Sequence, residues 1–187
     1  MKCKVRMIAF DLDGTLLTTD KRLTDETRRT LEQAAKKGIL LVPATGRPLT
    51  GMPAEVLGIP GGRYAVTANG ARVVSTEDGK ILREKLISVE KARKVLDIYG
   101  EYDTLREIYY DGRGYVEARQ IEELDHFVPD PNMAEYMRST RTGVPDLMEK
   151  FCQENRAMDK VQAFFACARE KEQAFWRIRE IEGVEAT

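Results

Sequence analysis

The feature that most constrains the fold of this chain is the segment IAFDLDGTLL at residues 8–17. Residues 4–10 are mostly apolar at successive positions, which is typical of a strand buried on both faces of a parallel sheet. Asp11 and Asp13 follow directly, and Gly14 permits a sharp turn of the backbone. Residues two apart on a strand point to the same side. The segment therefore predicts a buried strand that carries a pair of converging carboxylates at its end.

The following residues predict a strand–helix–strand unit. Residues 24–37 have the pattern of an amphipathic helix, with Thr24 as its N-cap and Gly38 after its basic last turn. Residues 39–42 form a second apolar run, which ends in the polar residues 45–47. The simplest connection between two such strands through a helix is right-handed and parallel.

The groups at the ends of these two strands predict a site for a cation and a phosphate, because open α/β sheets bind ligands beyond the carboxyl ends of their strands. Carboxylates at 11 and 13 that lie about 4 Å apart would repel by roughly 4 kcal/mol at an effective dielectric near 20. Mg²⁺, which prefers oxygen ligands, would offset that repulsion. Thr45 can donate to a phosphoryl oxygen, Gly46 permits close approach, and Arg47 offers a fork of donors to an anion.

Two other interpretations of the acidic pair are open at this point. An EF-hand loop also begins Asp-x-Asp, but Thr15, Leu16 and Arg22 stand where that loop needs Asp or Asn, Gly, and Glu. A turn without chemistry is the second alternative. Asp, Asp, Gly and Thr in this register arise by chance roughly once in a thousand chains of this length, which favours a functional site.

The pattern changes after about residue 83, which predicts two domains, residues 1–84 and 85–187. In the second, helical patterns alternate with strands on either side of the hairpin signal Asp-Gly-Arg-Gly at residues 111–114, as in an α+β module. Residues 120–143 have no clear pattern and stay unassigned. Residues 184–187 resemble the beginning of a further strand.

The composition excludes several classes of function. The net charge of −1 gives no basic field for nucleic acid or an anionic membrane, and no apolar run approaches the length of a membrane span. The three cysteines, Cys3, Cys152 and Cys167, have no metal-type spacing and indicate free thiols in a reducing cytoplasm.

Three stretches together, AFDLDGTLL, ILLVPATGRP and VTANGARV, resemble the motifs of the haloacid-dehalogenase (HAD) superfamily, in particular its Cof-type sugar-phosphatase branch. The resemblance implies an α/β fold: a HAD-like Rossmannoid core, here with a partial parallel sheet and flanking helices, plus an α+β cap domain. It also implies an Mg²⁺-dependent phosphatase of the cytoplasm that acts on a small phosphorylated metabolite such as a sugar phosphate.

The resemblance assigns roles to individual residues. Asp11 becomes the nucleophile and Asp13 the proton donor and acceptor, with Mg²⁺ held by the Asp11 carboxylate and the Asp13 backbone carbonyl. The residues implied in phosphate binding are Asp11, Leu12, Thr45, Gly46 and Arg47, and those implied at the substrate entrance are Asn69 and Gly70.

The chain departs from the family pattern in its second half. The family carries a later lysine and an acidic loop of the form Gly-Asp-x-x-Asn-Asp, whereas this sequence contains no Gly-Asp or Asn-Asp dipeptide. We therefore expect a chain truncated at its C-terminus, or a homo-oligomer in which another copy covers an incomplete core. The alternatives to a phosphatase are a catalytically inactive binding or assembly module and a phosphomutase-like phosphotransferase.

Overall fold

The computed structural model describes residues 4–187, which fall into two compact units, one ending at Lys85 and the other spanning Leu86–Thr187. The first unit contains five strands and two α-helices, with single 3₁₀ turns at Leu49–Gly51 and Ala68–Gly70: β1 (Met7–Phe10), α1 (Asp25–Lys36), β2 (Leu40–Pro43), α2 (Ala54–Leu57), β3 (Tyr64–Thr67), β4 (Arg72–Ser75) and β5 (Ile81–Glu84).

The predicted strand–helix–strand unit is confirmed. β1 and β2 pair in parallel, with Met7 opposite Leu40 and Phe10 opposite Pro43, and α1 connects them. The helix begins after Thr24, whose hydroxyl oxygen accepts the backbone N–H of Thr27 at 3.2 Å. This capping bond satisfies one of the N–H groups that a first helical turn leaves without an intrahelical partner.

The sheet continues from β2 to β3 through a parallel bridge between Ala44 and Val66. β3, β4 and β5 then pair antiparallel, and the sequence pattern predicts neither β4 nor β5. Apolar side chains from the loops, α1, α2 and the strands form one core, which consists of Leu12, Leu17, Leu23, Leu31, Leu41, Met52, Val56, Ile59, Ala65 and Val74.

The first strand differs from its prediction in length and in burial. Only Met7–Phe10 of the predicted residues 4–10 form a strand, and Met7 and Ile8 are exposed, by 57% and 36%. Within residues 4–187, β1 pairs with β2 alone, so its second edge has no neighbouring strand. Met7 and Ile8 are successive residues and so point to opposite faces, and both are exposed. The prediction of a strand buried on both faces is therefore wrong for this structure.

The second unit contains four strands and six helices: α3 (Val89–Gly100), β6 (Thr104–Tyr110), β7 (Arg113–Glu117), α4 (Ala118–Glu122), α5 (Leu124–Phe127), α6 (Pro131–Thr140), β8 (Arg141–Val144), α7 (Leu147–Glu154), β9 (Lys160–Phe165) and α8 (Ala168–Arg179). The strand order is β8-β7-β6-β9, with β6 antiparallel to both neighbours and β7 parallel to β8.

Helices cover this sheet with two separate apolar clusters. Ile108 and Tyr110 of β6 pack with residues of α3 and α7, whereas Leu105 of the same strand packs with residues of α5 and α6. The alternation along β6 is that of a strand buried on both faces. The mixed α/β fold that the sequence predicted is thus present.

Two parts of this unit differ from their predictions. The unassigned residues 120–143 hold most of α4, all of α5 and α6, and the start of β8, while residues 184–187 form no strand. The helix α6 begins after Asp130, whose carboxylate accepts the N–H of Asn132 at 3.0 Å, and Pro131 occupies its first position. Across residues 4–187, no helix combines the length and apolar character needed to traverse a bilayer.

Candidate functional site

The acidic pair lies in the turn that follows β1, not in the strand itself. Asp11 is exposed, and its Oδ2 accepts a hydrogen bond from the Thr15 hydroxyl at 3.0 Å. Leu12 is fully buried in the core, and its carbonyl accepts the N–H of Leu17 at 2.9 Å. Leu12 therefore presents no exposed atom to a ligand in this structure. The turn buries the residue between the two carboxylates and leaves both carboxylates at the surface.

The loop after β2 begins beside the end of β1, because the N–H of Ala44 donates to the carbonyl of Phe10 at 2.8 Å. Thr45 follows, 6% exposed, and its hydroxyl oxygen accepts the backbone N–H of Arg47 at 3.1 Å. The structure thus brings the predicted Thr45–Arg47 segment to the same edge of the sheet as Asp11.

The turn that holds Asn69 and Gly70 packs against this loop. The N–H of Asn69 donates to the carbonyl of Thr45 at 3.2 Å. A Cβ atom at Gly46 would lie 2.5 Å from Asn69 Oδ1, so only glycine fits at position 46 without displacing that side chain. Both turn residues have positive φ, 55° for Asn69 and 94° for Gly70. The predicted entrance residues and the predicted phosphate loop are therefore direct neighbours.

Arg47 and Lys21 hold the Asp13 carboxylate from two directions. The Arg47 guanidinium donates from Nε to Oδ2 at 2.7 Å and from Nη2 to Oδ1 at 2.8 Å, and its Nη1 donates to the carbonyl of Gly51 at 3.0 Å. The Lys21 ammonium lies 3.0 Å from Asp13 Oδ1. A bidentate arginine is the strongest pairing that a carboxylate commonly makes in proteins.

These cations change the acidity of Asp13. Hydrogen bonds from Arg47 lower its pKa to about 2, and Lys21 adds to the effect, while partial burial opposes it. The side chain is 36% exposed, so water screens the interaction and its contribution to stability is small. Asp13 is ionised throughout the neutral range in this arrangement.

The oxygen donors at the end of β1 suit Mg²⁺. Asp11 is exposed and its hydrogen bond from Thr15 comes from a neutral group, whereas Asp13 already carries two cationic partners. A metal here would therefore use the Asp11 carboxylate and a backbone oxygen such as that of Asp13. Within the described residues, no three His, Cys, Asp or Glu side chains are grouped to hold a metal. Its other ligands would be water and substrate, as is common for Mg²⁺.

Sequence reasoning did not identify Lys21 or Thr15 as part of this site. Lys21 lies in a polar stretch with no motif, and its contact with Asp13 depends on how the loop folds back. Thr15 could have been recognised from its place four residues after Asp11, within reach of a side chain across one turn. The sequence predicted that Arg47 binds an anion from solution. In the structure its guanidinium binds the Asp13 carboxylate instead.

The site combines paired carboxylates with a Thr-Gly-Arg loop at the ends of parallel strands in an α/β core. This combination is typical of one class of hydrolases. The chain belongs to the family of haloacid dehalogenase-like hydrolases, whose family model matches residues 8–184. The family resemblance seen in the sequence motifs is confirmed. The match includes both the acidic turn and the Thr45–Arg47 loop.

Curated relatives resemble about two thirds of the chain. The chain is 31% identical over 122 residues to YxeH of Bacillus subtilis, covering 64% of this chain and 45% of YxeH. It is 34% identical over 121 residues to the HMP-PP phosphatase of Enterobacter sp. (strain 638), covering 65% of this chain and 44% of that enzyme. The alignments thus span less than half the length of these relatives.

Solved structures support the same fold. A haloacid dehalogenase-like hydrolase from B. subtilis superimposes with a TM-score of 0.77 at 22% identity, covering 97% of this chain and 69% of that one. The HAD subclass IIB sugar phosphatase BT4131 superimposes with a TM-score of 0.72 at 17% identity, covering 94% of this chain and 64% of the other. At these identities the likeness establishes the fold and leaves the substrate open.

Proposed function

We propose that this chain carries the acidic turn and the phosphate-binding loop of a phosphatase. The enzyme would hydrolyse a small phosphate monoester through an aspartyl-phosphate on Asp11. The observation that carries the proposal is the adjacency of two segments within the matched family region. The acidic turn and the Thr45–Arg47 loop meet through the Ala44–Phe10 hydrogen bond and the Arg47–Asp13 ion pair.

The reaction uses the two carboxylates in sequence. A carboxylate oxygen of Asp11 attacks phosphorus and the bond between phosphorus and the ester oxygen breaks. Asp13, which is ionised in the free protein, would have to take up a proton as substrate binds in order to give it to the departing alkoxide. Water then attacks the aspartyl-phosphate, Asp13 takes a proton from that water, and inorganic phosphate leaves. Asp11 is the better placed nucleophile because it is exposed and carries no cationic partner among the contacts described above.

The second strand end would hold the phosphoryl group. Thr45 lies at the end of β2 with its hydroxyl beside the Arg47 backbone, and Gly46 keeps the loop free of side-chain bulk. Mg²⁺, held by the Asp11 carboxylate and the Asp13 carbonyl, would neutralise charge between the nucleophile and the phosphoryl oxygens. Asn69 and Gly70 would border the entrance for the rest of the substrate.

The relatives' names support a small phosphorylated metabolite as substrate. The Enterobacter relative is named for HMP-PP and the structural neighbour BT4131 for sugar phosphates. We therefore infer a substrate in which a phosphate is joined to a small polar alcohol such as a sugar. The chemistry of the site would recognise the phosphate group that these substrates share.

Hydrolysis of p-nitrophenyl phosphate with and without Mg²⁺ tests the proposal. We expect Mg²⁺-dependent turnover that Asp11→Asn lowers at least a thousandfold, since the variant lacks the nucleophilic oxygen. Asp20→Asn makes the same chemical change at an exposed position in the same loop and should leave turnover unchanged. Thermal unfolding gives a second readout: Mg²⁺ should raise the Tm of the wild type more than that of Asp11→Asn.

Three results would contradict the phosphatase assignment. Equal turnover by the wild type and Asp11→Asn would place the activity elsewhere or in a contaminant. A wild type that binds inorganic phosphate with Mg²⁺ and yet shows no turnover would identify the chain as a binding module. Transfer of the phosphoryl group to a second sugar hydroxyl, instead of to water, would indicate a phosphotransferase.

A further inference from the structure

Lys21 adopts a backbone conformation that lysine rarely takes. It lies in the tight turn of residues 18–22, where the N–H of Thr18 donates to the carbonyl of Arg22 at 3.0 Å and the N–H of Lys21 to the carbonyl of Thr18 at 2.9 Å. Its φ is 61°, in the left-handed region, where a Cβ atom is penalised and glycine is not. Hairpin turns commonly place Gly or Asn at such a position.

The strained turn delivers the ammonium group to the candidate site. Lys21 Nζ lies 3.0 Å from Asp13 Oδ1, the same oxygen that accepts from Arg47 Nη2 at 2.8 Å. The two cations reach this carboxylate from separate segments of the chain. Backbone strain that persists beside a candidate site is a reason to look for a function of the strained residue.

We propose that Lys21 is a positioning residue, which the left-handed turn holds against Asp13 so that this carboxylate keeps one orientation. The kinetic consequence rests on the phosphatase function proposed above. Arg47 grips both carboxylate oxygens, and Lys21 adds a third contact that also ties the 18–22 turn to the site. Removal of a proton from the attacking water depends steeply on the position of the base, so a loosened Asp13 slows chemistry more than it weakens substrate binding.

Lys21→Gly separates this role from a structural one. The variant removes the ammonium and gives the turn the residue that its φ favours, so its Tm should equal or exceed that of the wild type. We nevertheless expect kcat for p-nitrophenyl phosphate to fall about tenfold, with KM changed less than about threefold. Lys21→Arg, which keeps the charge, should recover most of the lost kcat. Arg22→Met removes a cation from the next, exposed residue and should keep the wild-type kcat.

Two kinetic outcomes would overturn the proposal. An unchanged kcat in Lys21→Gly would leave the lysine without a role in the reaction. A large rise in KM at constant kcat would mean that Lys21 contacts the substrate and does not position Asp13. Either result can be told apart from failure of the proposed phosphatase function. That failure would appear as equal turnover by the wild type and Asp11→Asn, or as no turnover by the wild type.

A double-mutant cycle tests the contact independently of activity. Lys21→Met should lower the Tm of the wild type and have a smaller effect in the Asp13→Asn background, because the partner carboxylate is already neutral there. Equal Tm shifts in both backgrounds would overturn the proposal even for a chain that turns over no substrate.

Discussion

At the scale of single residues, charge in the candidate site is balanced before any ligand arrives. The two carboxylates, Asp11 and Asp13, are matched in number by two protein cations, Arg47 and Lys21, both of which pair with Asp13. A phosphate monoester near neutral pH adds about two negative charges. Its entry therefore calls for added positive charge near Asp11, and a divalent cation supplies that amount. This balance gives a physical reason to expect that phosphate binding at the site would depend on a metal.

Gly46→Ala is expected to disturb the site through Asn69. The added Cβ atom would lie 2.5 Å from Asn69 Oδ1, so the amide must move out of its place against the Thr45 loop. Crowding of this kind costs about 1–3 kcal/mol of stability. We expect a lower free energy of unfolding by urea and a several-fold higher KM for p-nitrophenyl phosphate.

A second substitution provides the control for this crowding. Asn69→Gly removes the side chain that the new Cβ would strike and suits the positive φ at that position. In the Asn69→Gly background, Gly46→Ala should therefore lose little stability. If Gly46→Ala costs the same in both backgrounds, its effect does not act through Asn69.

The residues of the site were predictable to the extent that they belong to local motifs. Asp11, Asp13 and Thr45 stand at strand ends, and the parallel connection brings those ends together. The partners of Asp13 could not be predicted in the same way. Whether an arginine fork meets a phosphate or a carboxylate depends on distances between loops, and Lys21 reaches the site only through an unusual backbone turn.

At the scale of elements, β1 is a strand with little cover. Met7 and Ile8 are exposed, and a groove of about 330 Å³ lined by Ile8, Phe10, Leu16 and Leu31 with three polar residues of α1 runs beside it. A strand edge with exposed apolar residues is a surface on which chains associate. We expect this chain to self-associate with rising concentration in sedimentation experiments, and Met7→Lys to weaken that association.

Trp176→Lys is the matched control for the association. Trp176 is exposed to a similar degree as Met7, 55% against 57%, but lies on α8 in the other unit. Its replacement should leave the association unchanged. A chain that stays monomeric at all concentrations, or an equal effect of the two lysine variants, would exclude β1 as the associating surface.

Elements with strong local signals were predicted, and elements defined by packing were missed. α1 has an N-cap, an acidic first turn and a basic last turn, and the hairpin of β6 and β7 is marked by Asp111 and Gly112. In contrast, α4 and α5 are only 5 and 4 residues long, too short for a helical period to be visible. Asp130 followed by Pro131 is a typical start of a helix, and it marks the beginning of α6. The residues after it have no clear helical periodicity, so the helix was not predicted.

At the scale of the whole molecule, the Leu86–Thr187 unit carries a buried charge network of its own. Glu107 is fully buried, pairs with Arg141 at 2.6 Å and accepts the Tyr109 hydroxyl at 2.8 Å. Lys160 lies on the neighbouring strand, with Nζ 4.5 Å from the centre of the Tyr109 ring. Burial lowers the pKa of Lys160 to about 8, although the nearby Glu107 opposes that shift.

This lysine makes the stability of the unit depend on pH. In the unfolded chain Lys160 has the ordinary pKa near 10.4, so between pH 8 and 10 the unfolded state binds more protons than the folded state. The free energy of unfolding should therefore rise across this interval, by roughly 2 kcal/mol from this residue. Above pH 10 the trend reverses, because burial raises the pKa of Tyr99 and of Tyr110 to about 12, and unfolded tyrosines lose their protons earlier.

Urea unfolding between pH 8 and 10 measures this dependence, with fluorescence of Trp176 as a reporter because it is the only tryptophan and lies in this unit. Lys160→Met cannot ionise and should flatten the rise, and it should be the more stable protein near pH 7 because it buries no charge. Lys171→Met alters an exposed lysine and should keep the wild-type slope. An unchanged slope in Lys160→Met, or a wild-type stability that falls from pH 8 to 10, would show that the folded unit keeps Lys160 charged and hydrated.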